Sequence, residues 1–199
     1  MQTNPPFASP QQVRQVLVEH YRDAIDAGMA AVHVDMDQEI DQEIRERIAV
    51  LMLDEAVNDL PAVPYIAVWE GGADEIAHAY MSPKIESLCG YTPQELVSIG
   101  YINIVGGDIL SFYHDEDKVE EKIDPLADAQ KRRILGFMDN RHWEGCYKVN
   151  CKDGSFAWVI DRAAITRFRN TKRDSVLCLS GGILMESTEL LEKREGQRS

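Results

Sequence analysis

The side chains able to do chemistry are few and scattered in this chain of 199 residues. Four cysteines, Cys89, Cys146, Cys151 and Cys178, show no C-x-x-C spacing. They read as reduced, mostly buried thiols rather than zinc ligands. Cys146 and Cys151 stand five apart on one expected strand and so point to opposite faces. The acids Asp115, Glu116 and Asp117 lack the alternation and the glycine of a calcium-binding loop, so capping and solvation account for them. No nucleophile, base and orienting group occur at spacings that suggest catalysis. No glycine-rich loop opens a helix after a strand, so no phosphate cradle is expected. Of the five histidines, His78 stands mid-strand with access to an interior. His114 starts a helical pattern, His142 sits at a strand edge beside Trp143, and His20 and His33 lie in a remote N-terminal segment. The chain therefore reads as non-enzymatic, with no metal site.

The elements that carry these residues centre on Asn150–Ile165, NCKDGSFAWVIDRAAI. Asp153-Gly154 between two strand-like runs predicts a hairpin, because a tight turn needs the positive φ that glycine supplies without strain. After the turn both parities are apolar. Ala157, Val159, Ala163 and Ile165 lie on one side, and Phe156, Trp158, Ile160 and Ala164 on the other. Such a strand lies centrally in a sheet covered on both faces.

Before it, Ser9, Pro10 and Gln12 predict a capped helix start, followed by Val13, Val16, Leu17, Tyr21 and Ile25 at helical spacing. Gly28 weakens or ends that helix. A second helix begins near Asp37, with Ile40, Ile44, Ile48, Leu51 and Val57 as its stripe, and ends by Pro61. These amphipathic helices must bury their stripes on the following domain, on each other or on a second subunit.

Strands are expected at Tyr65–Glu70 and Ile76–Met81, then two short helices starting at Ser82-Pro83 and at Thr92-Pro93. Ile99–Tyr113, including Gly106-Gly107-Asp108, reads as a loop. Val119, Ile123, Leu126, Ala127, Ile134, Leu135 and Met138 read as a longer helix broken near Pro125. Strands follow at Trp143–Cys151, Phe156–Phe168 and Val176–Met185, with a last helix from Ser187. The order of elements predicts an α+β fold.

Composition limits the function. The net charge is −13, and residues 1–60 hold twelve acids against four bases. That field disfavours nucleic acid and anionic membrane surfaces. No run of about eighteen apolar residues and no signal peptide is visible, so a cytoplasmic protein is expected.

Residues 64–188 resemble a PAS domain. The residues that carry the resemblance are Ser82, Leu88, Gly90, Tyr91, Thr92, Glu95 and Leu96; then His114, Glu116 and Asp117; then Lys152, Asp153, Gly154, Ser155, Ala157 and Trp158; then Gly182, Glu186, Thr188 and Glu189. Asp115 stands where the pattern has Pro, Ala157 where it has Arg, and Glu186-Ser187 where it has Asp-Ile. The resemblance implies a five-stranded antiparallel sheet of order 2-1-5-4-3 with helices on one face and a pocket between them. It divides the chain into an N-terminal helical cap or dimerisation segment (1–61), the PAS domain (62–187) and the start of a C-terminal signalling helix (188–199).

In that family the pocket takes a ligand or a cofactor. The flavin type needs a cysteine in an Asn-Cys-Arg-Phe-Leu-Gln-like helix, and Cys89 lies in ESLCGYT instead. Haem commonly needs a histidine on the long helix, and residues 118–139 hold none. No haem or flavin is therefore expected, which leaves an unidentified small molecule. Val68, Met81, Ile85, Leu88, Phe137, Tyr147, Trp158 and Ile160 are the candidates to line the pocket. Because both strand parities are apolar, the residues alone leave open which face they line.

The resemblance implies a bacterial sensory module in signal transduction or transcription regulation. It would homodimerise through the N-terminal helices or the outer sheet face, and its output would come from another protein or a longer chain. The alternative is a protein-interaction module with a filled core.

Overall fold

The computed structural model describes residues 9–59, 61–73, 75–115, 118–128 and 142–187. The expected hairpin joins β5 (His142–Asn150) to β6 (Phe156–Asn170). In its turn Gly154 adopts φ 88°, and the Asp153 carboxylate accepts from the Ser155 N–H at 2.9 Å and its hydroxyl at 2.6 Å. β6 then pairs along its length with β7 (Ser175–Glu186), and β7 pairs with β1 (Val63–Glu70), which pairs with β2 (Ala77–Met81). This reproduces the 2-1-5-4-3 order in space.

The sheet is nevertheless seven-stranded, β2-β1-β7-β6-β5-β3-β4, and this corrects the five-stranded expectation. The added hairpin is β3 (Val105–Asp115) and β4 (Lys118–Pro125), where a loop and a helix start were expected. Val119, Ile123 and Leu126 do fall at helical spacing. Val119 and Ile123 pair instead with His114 and Leu110 of β3, and β4 ends at Pro125 before Leu126, so tertiary pairing outweighs local periodicity. Gly106 and Gly107 lie in a register shift between Gly106 and Leu110, a bulge that lets β3 leave β5 and turn into the hairpin.

Alternate residues of the strands serve two cores. Tyr65, Ala67, Trp69, Tyr147, Val149, Val159, Ala163 and Ile165 face inward. They are covered by α4 (Ile85–Cys89), α5 (Pro93–Ile99) and a 3-10 turn at Tyr101–Ile104. Thr92 and Glu95 form the expected capping box of α5. Ile66, Val68, Leu177 and Leu179 face outward, under α2 (Arg22–Met29) and α3 (Gln38–Val57). The first helical pattern is two helices: α1 (Pro10–His20), with the expected Ser9 capping box, gives way to α2 at Tyr21. Gly28 continues α2, because that helix crosses the edge strand so closely that a Cβ there would lie 1.9 Å from the Ala79 carbonyl oxygen.

Ile40, Ile44 and Ile48 of α3 are buried, whereas Val57 is exposed. The helix is fastened at both ends. Its N-cap Asp37 accepts from the Thr171 N–H at 2.6 Å and the Thr171 hydroxyl at 2.9 Å, while the Asn170 amide donates to the Asp35 carbonyl at 2.8 Å. Near its C-terminus Glu55 accepts from the Tyr80 hydroxyl and, at 2.5 Å, from Ser82 Oγ. Among the described residues no helix is long and apolar enough to cross a membrane.

Candidate functional site

On the inner face β6 carries an acid, Asp161, that is 1% exposed. It occupies the parity of Val159 and Ala163 in an otherwise apolar row. Its carboxylate accepts from the Tyr65 hydroxyl at 2.7 Å on one oxygen. The other oxygen accepts from Trp143 Nε1 at 3.0 Å and the Tyr147 hydroxyl at 3.1 Å. All of these partners donate, the arrangement an acceptor-only carboxylate requires.

Two glycines make this geometry possible. Gly145 lies opposite Asp161 on β5, and a Cβ there would come 2.8 Å from the Trp143 ring. Gly182 lies between Tyr65 and Ala163, and a Cβ there would come 2.5 Å from the Tyr65 ring. With no side chain at either position, the Tyr65 ring crosses β7 over Gly182 and the Trp143 ring runs along β5 over Gly145, and both reach the carboxylate.

The network continues to the surface. The Tyr101 and Tyr147 hydroxyls are 3.3 Å apart. The His78 ring packs between Tyr65 and Tyr101, at centroid distances of 5.6 and 5.3 Å. His78 and Tyr101 in turn line an open cleft of about 470 Å³ along the sheet edge. Its walls include Trp69, Ile76 and Leu96, with Glu70 and Glu75 also on its lining. Burial pushes the Tyr147 and Tyr101 hydroxyls well above the ordinary tyrosine range. The Asp161 charge adds to the rise at both, while the hydrogen bond to Tyr147 opposes it at Tyr101.

The expected pocket residues divide between the faces. Met81, Ile85, Leu88 and Tyr147 belong to the inner core. Val68 belongs to the core under the N-terminal helices, with an edge on the cleft. Trp158 and Ile160 have the opposite parity to Val159 and lie half-buried on the outer face, where Lys148 Nζ sits 4.8 Å from the Trp158 ring. Trp158 and Ile160 therefore do not face the inner site and are not part of the core under the N-terminal helices, whereas Val68 is in that core and borders the cleft. Phe137 lies outside the described residues. Asp161, Tyr65, Tyr101 and Trp143 were not among the sequence candidates. The signal for Asp161 was an acid interrupting one apolar parity of a central strand.

Residues 78–180, just over half of the chain, match the model of the PAS-fold family. The chain belongs to that family. PAS domains are sensory signalling modules. Similar solved structures include a sensory box histidine kinase/response regulator from Burkholderia thailandensis, at 14% identity and TM-score 0.39, over 74% of this chain and 92% of that one. An RNA-binding light-oxygen-voltage receptor aligns at 13% identity and TM-score 0.47, over 98% of this chain and 69% of that one. A light-oxygen-voltage domain studied with a flavin analogue aligns at 16% identity and TM-score 0.38, over 74% and 96%. No curated protein matches the chain.

Proposed function

We propose that this PAS domain is a non-enzymatic, cytoplasmic sensory module that takes a small molecule in the cleft along β2. Occupancy would pass to the sheet through Tyr101, Tyr147 and Asp161. One observation carries the reading: Tyr101 both lines the cleft and stands one hydrogen bond from Tyr147, which donates to the buried Asp161. A ligand that engages the Tyr101 hydroxyl competes with its bond to Tyr147, so cleft and sheet share one network. The apolar walls suit a ligand with an apolar body. Glu70 and Glu75 disfavour an anion, so a neutral or cationic molecule fits best.

The signal would leave by repacking or pairing of the N-terminal helices. Val13 and Val16 of α1, and Val50, Leu53 and Val57 of α3, are exposed apolar residues on this cap. Homodimerisation through them is part of the proposal. A second reading, an interaction module with a filled core, is favoured by the fact that both Asp161 oxygens already have donors within the chain.

Native and denaturing mass spectrometry of the purified protein separates the two. An added mass that disappears on denaturation, and that weakens in Tyr101→Phe, supports the sensor. An adduct retained at full occupancy by Tyr101→Phe removes that residue from the site. No adduct, together with no thermal shift against a library of neutral and cationic compounds, overturns the sensor in favour of the filled core.

A further inference from the structure

Two cysteine-bearing segments meet where α4 ends against the β5–β6 turn. The Lys152 N–H donates to the Cys89 carbonyl at 2.9 Å. By standard bond lengths, that contact holds the Cα atoms of Cys89 and Cys151 within about 8 Å of each other. A disulfide spans Cα separations of roughly 4.4–6.8 Å, so this bound admits a bridge, with backbone movement where the separation lies at its upper end. The Cys151 sulfur lies 3.8 Å from the Leu88 carbonyl oxygen, against the peptide group that leads into Cys89. Both side chains belong to the same apolar cluster. The Lys152 ammonium, 2.6 Å from Glu95, and the close approach of Gly90 to the Lys152 side chain hold the two segments together.

The thiols differ in access. Cys89 is 2% exposed and donates to the Ile85 carbonyl at 3.3 Å, whereas Cys151 is half-buried. Burial raises the Cys89 thiol above its ordinary value, which keeps it protonated at neutral pH.

We propose that Cys89 and Cys151 form a reversible, peroxide-driven disulfide that fastens α4 to the β5–β6 turn. The more accessible partner, Cys151, reacts first. The Cys151 sulfur attacks one oxygen of a hydroperoxide; the O–O bond breaks, Cys151 becomes a sulfenic acid, and water leaves when the oxidant is hydrogen peroxide. The Cys89 sulfur then attacks the Cys151 sulfur and loses its proton. The S–S bond forms, the S–O bond breaks, and the hydroxyl leaves as a second water. Both thiols are oxidised by one electron each, and one peroxide is reduced to two waters. The bridge closes a loop of about sixty residues, long enough to constrain the unfolded chain strongly. It is formed by oxidant rather than by ligand, so it stands independently of the cleft.

The test treats the full chain with one equivalent of hydrogen peroxide, quenches with catalase and blocks remaining thiols with N-ethylmaleimide in denaturant. Non-reducing peptide mapping follows. The expected result is one linked peptide joining Cys89 to Cys151, two hydrogens lighter than the reduced pair and cleaved by dithiothreitol, with Cys146 and Cys178 still alkylated. The oxidised protein should also melt at higher temperature than the reduced. In Cys151→Ser, Cys89 should remain fully alkylated after peroxide; in Cys89→Ala, Cys151 should stop at the sulfenic or sulfinic acid. Recovery of both residues as alkylated peptides from the wild type overturns the proposal. So does a link from either one to Cys146, to Cys178 or to a second molecule.

Discussion

Asp161 shows what one buried carboxylate demands of its neighbours. Each donor removed leaves an acceptor without that partner in a site closed to water, so Tyr65→Phe should cost about 1–3 kcal/mol in urea unfolding. The same position explains Gly182. A valine there would meet the Tyr65 ring, and Gly182→Val should cost a similar amount, about 1–3 kcal/mol. If the mechanism is displacement of Tyr65 from Asp161, Tyr65→Phe and Gly182→Val combined should cost less than the sum of the two singles. The raised tyrosines give a pH dependence with a fixed sign. Tyr101 and Tyr147 ionise less readily folded than unfolded, where the ordinary value is 10.0. Their stabilisation is full below that value and is lost as pH rises above it, because the unfolded chain releases the protons first. Urea midpoints should therefore fall above pH ~10, and the fall should be shallower in Tyr147→Phe. The residues of this network were hard to find in the sequence because tyrosine and tryptophan read as ordinary core. Only the acid at Asp161 broke the pattern, and only the fold brings Tyr65, 96 positions away, to its oxygen.

At the scale of elements, α3 behaves as a bar clamped at both ends. Glu55 ties it to β2 and to Ser82, which is fully buried and whose Oγ also accepts from the Lys84 N–H ahead of α4. The outer cap and the inner cover thus share one side chain. Glu55→Ala should cost about 1–3 kcal/mol through the two stranded hydroxyls. Amide exchange should quicken both at the C-terminal end of α3 and at the start of α4; quickening in α3 alone would mean that the two ends are not coupled. The caps of α1 and α5 were legible because a serine or threonine, a proline and a glutamine or glutamate at fixed offsets satisfy orphan N–H groups wherever they occur. The β3–β4 hairpin was not legible, since its second strand carries helical spacing and its stability comes from a partner strand. The burial of the α3 stripe could be foreseen, but its choice between the sheet and a second subunit could not.

Across the whole molecule, the motifs that mark the family are distant in sequence and adjacent in space. Gly90 approaches the side chain of Lys152, the Cys89 carbonyl accepts from Lys152, and Lys152 pairs with Glu95 of α5. That junction explains why the fold was readable from short motifs. The face each pocket candidate occupies was not, because helices cover both faces at β1 and β7, while the outer parity of β6 is apolar yet only half-buried or exposed. The exposed apolar residues of the cap belong to this scale too. Val16→Glu should shift a dimer towards monomer in sedimentation equilibrium without lowering the melting temperature of the monomer, since Val16 is 68% exposed. A wild type that is monomeric at all concentrations would remove dimerisation from the proposed function.

The distribution of the three tryptophans has an optical consequence. Trp69 is buried in the inner core, Trp143 donates to Asp161, and Trp158 lies half-buried on the outer face beside Lys148. An indole emits according to the polarity and the acceptors around it, so the protein carries one native fluorophore in each of three regions. With the other two replaced by phenylalanine, Trp143 becomes an intrinsic reporter of the carboxylate network. Its emission should shift in Tyr147→Phe, while a chain that keeps only Trp158 should stay dark to that change.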